Sequence, residues 1–90
     1  MESTVETIIT SYFPDGAVMS ERIFCNGRLH DPSLTIPAVR QYRHDGTVQR
    51  EERYNNGKLH DPSPSIAAIR WLRPDGTVEI EHHYQNGVMA

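Results

Sequence analysis

A single cysteine, Cys25, leaves the chain with no intramolecular disulfide. A reducing compartment follows as the simpler expectation, namely the cytoplasm. No run approaches the about 18 consecutive apolar residues that a spanning helix needs. Residues 1–10 hold two acidic residues, no basic cluster and no apolar run, so no secretion signal is expected there. A helical hydrophobic period is missing from every window. Charge of one sign is scarce as well: nine basic and twelve acidic residues give a net charge of -3. That argues against a nucleic-acid partner, which would call for a positive patch. With all five histidines protonated the charge becomes +2 (nine plus five minus twelve). Electrostatic contacts are therefore expected to change between about pH 7 and pH 5. Hydrophobic residues make up only 37% and aromatic residues 8% of 90 positions. The chain fits one domain, 1–90, with little apolar material for a core.

What is present is a period of thirty. Asp-Gly occurs at Asp15-Gly16, Asp45-Gly46 and Asp75-Gly76, and Asn-Gly at Asn26-Gly27, Asn56-Gly57 and Asn86-Gly87. Val18, Val48 and Val78 keep that spacing, as do Glu21, Glu51 and Glu81 and the aromatics Phe24, Tyr54 and Tyr84. His30-Asp31-Pro32-Ser33 recurs as His60-Asp61-Pro62-Ser63. Three units, 1–30, 31–60 and 61–90, account for the chain, and the first is the most divergent, as a capping unit is.

Each unit reads as strand, turn, strand, turn. In the second, 36–42 forms a strand, His44-Asp45-Gly46 turns the chain, and 47–54 forms the return strand. Asn55-Asn56-Gly57 turns it again, and 59–63 leads to the next unit. Gly16, Gly46, Gly76, Gly27, Gly57 and Gly87 are the structural turn residues. The fold expected is all-β, a meandering antiparallel sheet of about six strands in three hairpin repeats.

Parity selects the loop. A three-residue loop at the Asp-Gly turns pairs even positions with even ones. One face then collects Ile36, Ala38, Tyr42, Val48 and Tyr54. In the third unit it collects Ile66, Ala68, Leu72, Val78, Ile80 and Tyr84, and in the first Ile8, Tyr12, Val18 and Phe24. The opposite face carries Gln49, Glu51, Arg53, Glu79, Glu81 and His83 and is expected to be wet. With no helix to cover the apolar face, curling, a homodimer or a bound partner is expected to do so.

The segment Tyr54-Asn55-Asn56-Gly57-Lys58-Leu59-His60, with Pro74-Asp75-Gly76-Thr77 and Tyr84-Gln85-Asn86-Gly87, resembles the MORN-like β-hairpin repeats across essentially the whole chain. That resemblance implies a meandering hairpin sheet that acts as a protein-binding scaffold. It also implies an antitoxin-like role in bacteria, phospholipid binding as an alternative, and no catalytic residues. In place of the family's Asp-Gly-Pro-Ala stretch after the histidine stands Asp61-Pro62-Ser63-Pro64-Ser65-Ile66-Ala67, which makes this loop the variable surface.

Candidate chemistry is sparse. His30 and His60, with Asp31 and Asp61, invite a metal reading. Equivalent positions in adjacent hairpins lie about 10 Å apart, however, too far to share a zinc ion with ligands at about 2 Å. A hydrogen-bonding turn role is expected instead. His82 and His83 are adjacent on a strand and point to opposite faces. Glu21, Glu51 and Glu81 are likewise about 10 Å apart and read as a solvated charged column. Cys25 has no phased basic partner and reads as a free thiol. No nucleophile, base and orienting group come together, so no enzyme, small-molecule substrate, cofactor or metal is expected.

Trp71 is the candidate contact residue, with Ile69 and Val39 beside it on the wetter face and Arg40 and Arg70 nearby. Arg40, Arg70, Arg43 and Arg73 also form a phased stripe, the basis of the phospholipid alternative. The function expected is a non-enzymatic module that occludes a partner protein. As a small bacterial or phage protein, it would serve as an antitoxin-like or anti-CRISPR-like inhibitor.

Overall fold

The computed structural model describes residues 6–89, so 1–5 of the first unit and Ala90 of the third lie outside the described residues. All regular structure among them is β. The strands are β1 (Glu6–Tyr12), β2 (Val18–Cys25), β3 (Arg28–Leu29), β4 (Val39–Tyr42), β5 (Val48–Glu52), β6 (Tyr54–Asn55), β7 (Lys58–Leu59), β8 (Ile69–Leu72), β9 (Val78–His82), β10 (Tyr84–Gln85) and β11 (Val88–Met89). The main sheet runs β1-β2-β4-β5-β8-β9, with every neighbouring pair antiparallel. It is a six-strand meander, with β3 paired to β2 and two small hairpins, β6-β7 and β10-β11, beside it. The described chain measures 41 × 29 × 18 Å, a single layer thick.

The two turn types follow from their residues. At Asn26-Gly27, Asn56-Gly57 and Asn86-Gly87 both central residues have positive φ, for example 50° at Asn56 and 84° at Gly57. That is the two-residue hairpin turn whose twist matches its strands, and it favours Asn-Gly. The Asp-Gly loops close as expected, with three residues between the closing pair. Arg43 N–H donates to Thr47 O at 2.8 Å, Gly46 N–H donates to Arg43 O, and Gly46 has φ 92°. The Asp45 carboxylate accepts from Thr47 N–H at 2.9 Å and from its hydroxyl at 2.7 Å, fixing the turn. These bonds hold the Asp45 carboxyl below its usual range.

Beyond each loop the expected parity fails. Tyr42 pairs with Val48, but the next pair is Gln41 with Arg50. The extra residue, Gln49, is a β-bulge. The same shift falls between Ser11 and Tyr12 and between Trp71 and Leu72, with Met19 and Glu79 as the extra residues. A bulge puts two residues opposite one, so every later position on the return strand changes face. Glu51 therefore shares a face with Tyr42 and Arg40, while Ile80 and Phe24 turn to the other side, with Trp71 and Thr7. The division into one apolar and one wet face does not survive.

The strands are also shorter than expected, β4 beginning at Val39 rather than Ile36. Ile36 instead bridges back to Ser33, and Pro37 behind it is fully buried. Among the described residues the buried apolar ones are few and small or medium in size: Ala38, Val39, Ala67, Ala68, Ile69 and Leu72. All but Leu72, at the far end of β8, lie where the linkers 30–38 and 60–68 rejoin the sheet. Small side chains there let the linkers lie close to the strands.

Candidate functional site

The linkers are held by carboxylates. Asp31 Oδ1 accepts from Ala38 N–H at 2.8 Å and from Tyr54 N–H at 3.0 Å. Asp61 repeats this with Ala68 N–H at 2.7 Å and Tyr84 N–H at 3.0 Å, and its Oδ2 accepts from His83 Nδ1 at 2.7 Å. Each aspartate, in the linker that leads into a hairpin, thus ties the start of that hairpin to its end. Burial pushes the Asp31 carboxyl up, and its two amide bonds only partly offset that. Burial also acts on Asp61, but the Tyr84 amide, the His83 bond and the Ala68 amide bring it below the usual range.

The phased histidines finish the same joint. His30 Nδ1 accepts from Asn56 N–H and His60 Nδ1 from Asn86 N–H, each at 3.0 Å. That acceptor role requires the neutral ring with its proton on Nε2. Gly57 and Gly87 N–H donate to Leu29 and Leu59 O at 2.8 and 2.7 Å. His30, Asp31, Tyr54 and His60 also line an open cleft of about 400 Å³. Sequence reasoning placed the histidines in turns but missed the aspartate clamp. Its signal was the recurrence of Asp directly after each His.

One face of the sheet carries an ionic ladder. Glu21 lies opposite Arg40, Arg40 opposite Glu51, Glu51 opposite Arg70, and Arg70 opposite Glu81, across five strands. Neighbouring strands are about 4.8 Å apart, so the signs alternate at that spacing. Arg40 Nε meets Glu51 Oε2 at 3.3 Å, and Arg53 Nη2 meets Glu51 Oε1 at 3.7 Å. Glu51 and Arg53 are 8% and 4% exposed, which corrects the expected solvated position of Glu51 and the wet-face position of Arg53, while Glu21 is half-buried and Glu81 exposed. The bulge brought them inward. Burial lowers the Arg53 guanidinium below its ordinary value, against the pull of Glu51. Tyr42 OH donates to Glu21 Oε1 at 2.5 Å, and burial together with that bond raises its phenol.

The other face carries an aromatic cluster. The Arg50 guanidinium carbon sits 4.6 Å from the Trp71 ring centroid, and His82 meets the ring edge-on at 5.5 Å. Ile80, 46% exposed, lies opposite Trp71 on the outermost strand β9. Arg50 Nη2 is held by Glu52 Oε2 at 2.6 Å, and Tyr54 OH donates to Glu52 Oε1 at 2.9 Å. Burial and that carboxylate push the Tyr54 phenol up to about 12.

The five expected contact residues do not form one patch. Trp71 is half-exposed on the aromatic face. Val39 and Ile69 share that face but are 3% and 5% exposed, so they offer a partner almost no surface. Arg40 and Arg70 lie in the ladder on the opposite side. The arginine stripe is likewise engaged. Arg43 donates to Val48 O at 3.0 Å and to Leu72 O, and Arg73 donates to Val78 O at 2.8 Å. These guanidiniums brace the Asp-Gly turns. Arg50, Ile80 and His82 escaped sequence reasoning, because only the bulged register sets them beside Trp71. Cys25, half-buried at the end of β2, stands opposite Glu6 and Arg28.

Comparison with family models, with curated proteins and with solved structures gives no match. No helix among the described residues is long and apolar enough to cross a membrane.

Proposed function

We propose that the chain is a protein-binding module, a MORN-like hairpin sheet that works in the cytoplasm by docking onto a partner protein and occluding it. One observation carries this reading: Trp71 is half-exposed yet held between Arg50 and His82, beside the exposed Ile80. A tryptophan fixed before binding loses little conformational freedom when it is buried by a partner. The surrounding side chains have the composition of a contact centre, an aromatic and an arginine with an aliphatic neighbour.

The test is affinity capture from cells with the wild-type chain and with Trp71→Ala, read by mass spectrometry and then by titration against the captured protein. One dominant partner is expected, bound at least tenfold more weakly by Trp71→Ala while the melting temperature stays within a few degrees. Equal binding by both chains, or no captured protein, would remove Trp71 as the anchor.

A further inference from the structure

The two edges of the sheet differ in a way the partner reading does not use. β9, at one edge of the main sheet, carries Glu79 and Glu81 among its five residues. Charges on an edge strand keep other strands away. β1, at the opposite edge, has no charge from Thr7 to Tyr12, no proline and no bulge within its own run. Ile8, Ile9 and Tyr12 are 56%, 49% and 60% exposed. Among the described residues no strand pairs with its outer side. A seven-residue strand this rich in β-formers pairs with another strand unless something prevents it.

The backbone fixes which residues would pair. Ile23 N–H donates away from β1, to Ala38 O at 2.8 Å. Its partner across the ladder, Ile8, therefore turns its own N–H and C=O outward, and so do Glu6, Thr10 and Tyr12 by alternation. We propose that β1 is a homodimerisation edge, pairing antiparallel with β1 of a second copy about a two-fold axis at Ile9. Ile8 then exchanges hydrogen bonds with Thr10 of the other copy, and Glu6 with Tyr12. On the aromatic side Ile9 meets its own symmetry mate, flanked on both sides by Thr7 facing Ser11. An apolar pair between two hydroxyl pairs is complementary to itself and sets no charge against a like charge. A register one residue away would place inward-facing amides at the junction and exchange the two faces of the sheet.

A second copy is favoured over head-to-tail growth. Pairing β1 with β9 would set Glu81 against Thr10, which stands where the other units have Arg40 and Arg70. The ionic ladder ends at that threonine. Closed two-fold pairing leaves no apolar edge free, whereas head-to-tail pairing builds an open polymer.

The purified full chain tests this without any partner. Light scattering should give about twice 10.3 kDa for the wild type. Thr10→Pro removes only an outward amide, so it should return the mass to about 10.3 kDa with the far-UV spectrum unchanged. Glu79→Lys on β9 should leave the doubled mass intact. In a Cys25→Ser background, Ile9→Cys should oxidise to a covalent dimer, because a non-hydrogen-bonded pair sets its Cα atoms about 4.5 Å apart, within disulfide reach. Thr7→Cys should not, its two copies being more than about 13 Å apart. A monomeric wild type, a mass that grows steadily with concentration, or a doubled mass that survives Thr10→Pro would each overturn the proposal. Should Thr10→Pro fail to fold, equal cross-linking through positions 7 and 9 would overturn it instead.

Discussion

Asp61→Ala should be among the most destabilising single changes available in this chain. The Asp61 side chain is almost fully buried, and Oδ1 satisfies two amides, of Ala68 and of Tyr84. Ala68 is fully buried, so its amide has no water to turn to. Leaving a buried donor without a partner costs about 1–3 kcal/mol. With two amides affected, and the half-buried Tyr84 partly rescued by solvent, a loss of about 2–4 kcal/mol is expected. A domain of this length holds roughly 5–13 kcal/mol in all. For its size 2 kcal/mol corresponds to a fall in melting temperature of about 8–16 °C. Thermal unfolding followed by circular dichroism, with urea unfolding for the free energy, measures it. A fall under about 4 °C would refute the clamp.

The two asparagine variants separate charge from geometry. Asn keeps one carbonyl acceptor for the two amides in either linker. At Asp61 it loses the bond in which Oδ2 accepts from His83, and Asp61→Asn should cost about 1 kcal/mol. At Asp31 the ionised form is already disfavoured by burial, so Asp31→Asn should be nearly neutral at pH 7. Acid should show opposite signs. Asp61 has a folded pKa below the ordinary 3.8. Its contribution is fully present above that ordinary value and is lost as the pH falls through the lower folded one. Asp31 has a folded pKa above 3.8, so its contribution is fully present below 3.8 and is lost as the pH rises through the raised value.

Two further changes test the turn and the ladder. Gly46→Val should cost more than about 1 kcal/mol, read as a lower melting temperature, because φ 92° strains a β-branched residue even though a Cβ there meets open space. Glu51→Ala should cost about 3–5 kcal/mol by urea unfolding, since it strands the buried Arg53. Adding Arg53→Met should recover most of that loss, and a double variant no better than Glu51→Ala would discount the pair.

The period of thirty made the turns legible. Asp-Gly with a following Thr or Ala, and Asn-Gly between short apolar runs, each point to one backbone geometry, and the positive φ values at Gly46, Asn56 and Gly57 follow from it. The faces were not legible, because one residue per hairpin decides them. Nothing in Val48-Gln49 or Val78-Glu79 marks a bulge, since a bulge is set by how the strand must twist in the sheet rather than by a residue that demands it. That single shift sent Glu51 and Arg53 inward and moved Ile80 beside Trp71. The aspartate clamp was half legible. His-Asp-Pro-Ser recurs plainly, yet its partners, Ala68 and Tyr84 for Asp61, lie 7 and 23 residues away and become neighbours only after the sheet has formed.

The scarcity of apolar residues explains why polar groups hold this sheet together. Among the described residues, six small or medium apolar side chains form the buried core of a single layer. Aspartate clamps, histidine acceptors and the Glu–Arg ladder supply directional links between hairpins, where a second layer would supply burial. Directional links fix positions closely, and the Trp71 cluster inherits that order through β5, β8 and β9. The consequence for binding is geometric. A two-fold axis at Ile9 is perpendicular to the sheet, so both copies of Trp71 would emerge on the same side. β8 is four strands from β1, and the two tryptophan strands would stand nine spacings apart, roughly 40 Å along the joined sheet. Two identical rigid anchors at that separation fit a partner that is itself two-fold symmetric. The second contact would then form at high effective concentration, and weak single contacts would add up to tight occlusion.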